Sequence, residues 1–146
     1  MINPDTIAAE IIARALSIPT MTTVLANGFA YHSEADGGSR EKAIDGMSLN
    51  KALMTYEGTI ASQDNGGFVY QHDFRIFVRL SSLSFGSFLA LFHDGVPALG
   101  GAGLKMIYTN IPSVAEVIEL STATPVIGKD FADYLELYIT ILDRQG

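Results

Sequence analysis

FVYQHDFRIFVRL, from Phe68 to Leu80, alternates almost without a break. Phe68, Tyr70, His72, Phe74, Ile76, Val78 and Leu80 share one parity. Val69, Gln71, Asp73, Arg75, Phe77 and Arg79 share the other. Successive side chains of a strand point to opposite faces, so the run predicts one long strand with an apolar inner face. At roughly 3.3 Å per residue it would span about 43 Å, longer than an ordinary strand. Its outer face is not plainly polar, because Phe77 stands between Arg75 and Arg79. Aromatic residues and arginine are enriched at protein interfaces. Arg75, Phe77 and Arg79 are therefore the candidate interface residues. The plainer alternative is an exposed strand whose Phe77 is covered by a loop or helix.

Working outward, Asp64-Asn65-Gly66-Gly67 is a hairpin turn between two β-like runs. It joins the long strand to an earlier one over Leu49 to Ser62, with Glu57-Gly58 as a bulge or kink. Before that hairpin, Asn3-Pro4-Asp5 supplies an N-cap, a first-turn proline and an acid at the positive end of a helix dipole. Ile7, Ala8, Ile11, Ile12 and Ala15 then recur at helical spacing, so Pro4 to Leu16 reads as an amphipathic helix stopped by Pro19. Thr22 to Ala26 reads as a short strand on its β-branched content, followed by a turn at Asn27-Gly28. Ser33 to Gly46 reads as a surface loop that allows a helical turn from Arg40 to Ile44.

After the hairpin, Ser82 or Ser84 can cap a helix whose Phe85, Phe88, Leu89 and Phe92 form an apolar stripe. Asp94-Gly95 ends it, and Gly95 to Gly103 is a glycine-rich loop. Leu104 to Tyr108 allows strand or helix and is broken at Ile111-Pro112. Val114 to Leu120 is β-branched, though its glutamates also allow helix. Ala132 to Leu142 alternates and closes the chain as a strand inside or beside the main sheet. The expected fold is α+β: an antiparallel sheet with a long central hairpin and helices packed mainly on one face. The 146 residues suit a single domain, 1–146.

Composition narrows the function classes. Apolar residues make up 48% and charged residues 17%, below the usual quarter. A low charged fraction fits either burial of apolar surface against partners or a well-packed monomer. The net charge of −7 argues against gripping nucleic acid by its phosphates. It suits a surface that DNA passes without sticking. No cysteine is present, which removes disulfides, thiolate chemistry and cysteine zinc sites. No basic-then-apolar segment opens the chain, so no secretory signal is expected, and no apolar run reaches the roughly 20 residues of a membrane span.

Chemistry finds little purchase. His72-Asp73 would point to opposite strand faces, and His93-Asp94 sits where a helix dipole favours a cation. A metal site would need His32, His72 and His93 to converge, and ordinary surface or capping roles are the simpler reading. Gly100-Gly101-Ala102-Gly103 lacks the Gly-Lys-Ser/Thr ending of a phosphate loop, and Lys105 follows at the wrong spacing. Ser39, Ser81, Ser82 and Ser84 have no nucleophile-elbow context. Asp130, Asp133, Glu136 and Asp143 are dispersed and read as solvated strand charges rather than a catalytic pair. The expectation is a non-enzymatic protein that uses no cofactor or metal.

The opening helix Asn3 to Leu16, the long strand Phe68 to Leu80 with an aromatic helix directly after it, and the closing block give the chain its layout. That block runs from Ile111-Pro112-Ser113-Val114 through Gly128-Lys129-Asp130-Phe131 to Tyr134–Leu142. The layout resembles the tail terminator and tail-completion (neck) proteins of long-tailed bacteriophages. The resemblance covers most of the chain, leaving Ser33 to Gly46 and Gly95 to Gly103 outside it. It implies a virion protein, assembled in the host cytoplasm, that forms a homo-oligomeric ring, commonly a hexamer. Such a ring caps the tail tube protein, meets the head-tail connector protein and lets DNA pass without specific binding. No membrane is implied. The alternative class is a small α+β binding module for an apolar ligand, recognisable by a cavity lined by Phe74, Ile76 and Val78.

Overall fold

The computed structural model describes residues 1–33, 40–64, 66–81, 85–94, 116–127 and 133–145. The chain opens with α1 (Pro4–Leu16), as its capping sequence predicts: the Asn3 side chain accepts the Asp5 N–H at 2.9 Å. Ile7, Ala8, Ile11 and Ala15 are buried along one stripe. Next come α2 (Met21–Val24), β1 (Phe29–His32) and α3 (Arg40–Asp45). The strand expected at Thr22 to Ala26 is therefore a helical turn, and the strand falls just after it. Met21 is buried and Leu25 N–H bonds back to Met21 O, so packing and a local bond override β-propensity there.

The hairpin forms as expected from β2 (Lys51–Asp64) and β3 (Gly67–Arg79), with Asp64 paired to Gly67 across the turn. The register slips between Tyr56 and Gly58, where Gly58 has φ +138°, so Glu57-Gly58 is the bulge. Helix α4 (Phe85–Asp94) follows, then β4 (Glu116–Ile127) and β5 (Asp133–Gln145). The ambiguous Val114–Leu120 run thus contributes to a strand. The segments Gly95–Gly103, Leu104–Tyr108 and Ile111-Pro112, and the capping serines Ser82 and Ser84, lie outside the described residues.

The sheet order is β1-β2-β3-β5-β4. All pairs are antiparallel except β1 with β2, which is parallel. The wholly antiparallel sheet expected from sequence is therefore mixed at one edge. Helix α3 and its flanking chain separate β1 from β2, so a tight hairpin is not required.

Ala52, Met54, Phe74, Ile76, Val78, Leu135, Leu137, Ile139 and Ile141 line one sheet face and pack with α1, Met21, Phe88 and Phe92. Phe88 and Phe92 stack at 5.6 Å, which bears out the aromatic stripe of α4. The opposite face carries a small separate cluster of Met47, Leu53 and Phe77 beneath α3. The fold is α+β, with most helical cover on one face.

Candidate assembly surface

The alternation of β3 places Arg75, Phe77 and Arg79 on the outer face, as expected, yet none stands free there. Phe77 is only 3% exposed. Leu53, Met47, Ala43 and Ile44 surround it, and Tyr134 meets it edge-on at 5.8 Å. This corrects the reading of Phe77 as a surface anchor: α3 covers it, as the plainer alternative held. Arg79 donates to the Met47 carbonyl. Arg75 faces Glu57, donates to Glu136 Oε1 at 2.9 Å and lies 4.9 Å from the Tyr138 ring centroid. Arg40 of α3 also pairs with Glu57.

This outer face is consequently a mixed ionic and aromatic layer. The hydrogen bond that Tyr138 donates to Glu136, with burial and the nearby carboxylate, raises its phenol pKa. Burial first, then the charges of Glu136 and Asp45, raises that of Tyr134. Farther along, Asp73 accepts from Thr140 at 2.8 Å and from Gln71.

Asp73 thus faces away from His72, as alternation required. His72 itself departs from expectation, because it is fully buried beside a fully buried Asp143. Its Nε2 lies 3.4 Å from Asp143 Oδ2, and its Nδ1 lies 2.8 Å from Thr59 Oγ1. Tyr56 bonds Thr59 in turn, and Asp143 Oδ2 accepts the Ile2 N–H at 2.8 Å. His72 is therefore not a surface histidine, nor Asp143 a solvated strand charge. The hydroxyl–imidazole–carboxylate line has the membership of a nucleophilic triad. Its imidazole and carboxylate are both fully buried, and its hydroxyl, on Thr59, is half-buried. The line braces the N-terminal residues, β2, β3 and β5 to one another. The sequence signal for it was the odd polar residue, His72, inside an otherwise apolar parity class.

His32 ends β1, and His93 lies in the last turn of α4, where the dipole argument placed it. Glu136 is committed to Arg75 and Tyr138. Asp133 opens β5, while Asp130 and Gly100 to Lys105 lie outside the described residues.

The free surface is at the far end of the hairpin. The four-residue β1 pairs only with Ala52 to Thr55. Beyond Thr55, β2 forms the described edge of the sheet as far as Asp64. Ile60 is 60% exposed and Phe68 51% exposed. The register puts them on opposite faces of the hairpin, and Phe68 stacks on Tyr70 at 6.2 Å. Among the described residues no helix is long and apolar enough to cross a membrane. No protein-family model matches the chain, and no curated protein sequence matches it.

Proposed function

We propose that this chain is a structural, non-enzymatic subunit of a phage tail or neck, resembling a tail terminator, that works as a homo-oligomeric ring. The observation that carries the reading is the exposed apolar end of the β2–β3 hairpin. It combines a strand edge without a partner among the described residues with Ile60 and Phe68 exposed on its two faces. Open edges and exposed large apolar side chains favour association, and a monomer ordinarily blunts or covers them. A closed ring needs head-to-tail contacts between unlike surfaces, which a strand edge with exposed apolar side chains can supply. The acidic balance suits a channel that DNA crosses without being held. In this reading the ring caps the tail tube protein, joins it to the head-tail connector protein and resides in the virion after assembly in the host cytoplasm.

The rival apolar-ligand module loses ground to one feature. Phe74, Ile76 and Val78 are fully buried in one cluster with Phe88, Phe92 and the buried residues of α1. The test is the solution mass of the purified protein, with electron microscopy of the same sample. A closed particle near six times the 15.7 kDa chain is expected, and Ile60→Ser with Phe68→Ser should return it to a folded monomer. A wild-type protein that stays monomeric at every concentration would sink the reading.

A further inference from the structure

Helix α3 is a short cover. It has six residues and buries none of them fully. Isolated helices of that length are unstable in water. The cluster it shields has three buried residues, Met47, Leu53 and Phe77, and is separate from the main core. Among the described residues, four buried polar atoms of this outer layer, Thr55 Oγ1, Glu57 Oε1, Arg75 Nε and Arg79 Nε, have no hydrogen-bond partner, although Arg75 and Glu57 form an ion pair. Regions with few buried apolar contacts open first.

The chain downstream of α3 is pinned. Asn27 N–H donates to Asn50 O at 3.0 Å, and Asn27 Nδ2 donates to Leu49 O at 2.7 Å. Ser81 N–H and Oγ–H both donate to Asn50 Oδ1. Motion of α3 together with Met47 would therefore bend the chain at Ser48 and leave β2 in its ladder. Upstream, seven residues separate the end of β1 from α3.

We propose that α3 is an exchangeable cover, and that in the assembled protein the patch of Leu53, Phe77 and Tyr134 is occupied by α3 of a second copy. The occupant follows from complementarity already present. Ala43, Ile44 and Met47 fit this patch, and Arg40–Glu57 and Arg79–Met47 O tie its two ends. A second copy offers the same groups, so exchange remakes every contact between chains that it breaks within one. The inference rests on the ring reading and adds which surface carries a subunit contact.

Complementation tests it. Phe77→Ala damages the patch and leaves α3 intact, whereas Ile44→Asp damages α3 and leaves the patch intact. Circular dichroism checks that each folds, and isotope labelling of one variant identifies both chains in a mass measurement. Each variant alone should fail to assemble. Their mixture should regain a mixed dimer, because one intact pairing of α3 with patch is restored. Variants that assemble normally, or a mixture that stays monomeric while the wild type forms rings, would overturn exchange and leave the ring standing. A wild type that is monomeric throughout overturns both.

If either variant unfolds, labelled and unlabelled wild-type chains are mixed before assembly and treated with a lysine-reactive cross-linker. Links from Lys42 of α3 to Lys51 of β2 should then join labelled to unlabelled chains. Oligomers with only same-chain links between these lysines overturn the proposal.

Discussion

Replacing Asp143 by alanine removes the acceptor that holds two donors from distant parts of the chain. The Ile2 N–H loses its 2.8 Å partner, and His72 Nε2 loses its 3.4 Å partner. His72 is fully buried, so no water replaces the carboxylate without a rearrangement of the core. A buried polar group left without a partner costs about 1–3 kcal/mol. The partly exposed Ile2 N–H adds less, and the space vacated by the carboxyl adds a cavity contribution. We expect a loss of about 2–4 kcal/mol, against a total stability of about 5–15 kcal/mol for a domain.

Urea unfolding followed by circular dichroism measures that loss, and thermal unfolding should show a midpoint roughly 5–15 °C lower. The decisive control is the double variant His72→Phe with Asp143→Leu. Removing both buried partners in favour of apolar groups leaves no unpaired imidazole in the core, so the double variant should be more stable than Asp143→Ala. A loss below about 1 kcal/mol for Asp143→Ala, or single-site losses that simply add to within about 0.5 kcal/mol, would refute the brace.

Ile76→Asp should abolish the cooperative unfolding transition, because Ile76 is fully buried at the centre of the sheet and an unpaired charge there costs several kcal/mol; a folded variant by circular dichroism would contradict the placement of that face. Tyr134 and Tyr138 have raised pKa values, so both should ionise later than an unperturbed tyrosine in an absorbance titration. The unfolded chain loses these protons at about pH 10 while the folded chain retains them, so their contribution is full below pH 10 and is lost as pH rises through the folded values. Unfolding midpoints that rise across that range would have the wrong sign.

Local patterning settled a good part of this fold. A period of two, dense turn residues and capping geometry act over a few residues, so the sequence alone determined α1, the β2–β3 hairpin with its bulge, α4 and the final strand. The inner parity of β3 was equally legible, because one wrong step in register would bury Asp73 and Arg75 in place of Phe74 and Ile76. What only the tertiary structure decided depends on contacts between residues far apart in the chain. Thr22 to Ala26 became a helical turn because Met21 was claimed by the core formed with α1. β1 took a parallel partner because the chain between it and β2 is long enough to cross over. Phe77 looked like an interface residue because no local rule could place a six-residue helix above it. His72 and Asp143, separated by 71 positions, became partners only when β3 paired with β5. The outer parity of a strand names the side chains that need cover; whether a helix of the same chain or a second copy supplies it is a matter of tertiary and quaternary packing, beyond the reach of any short-range pattern.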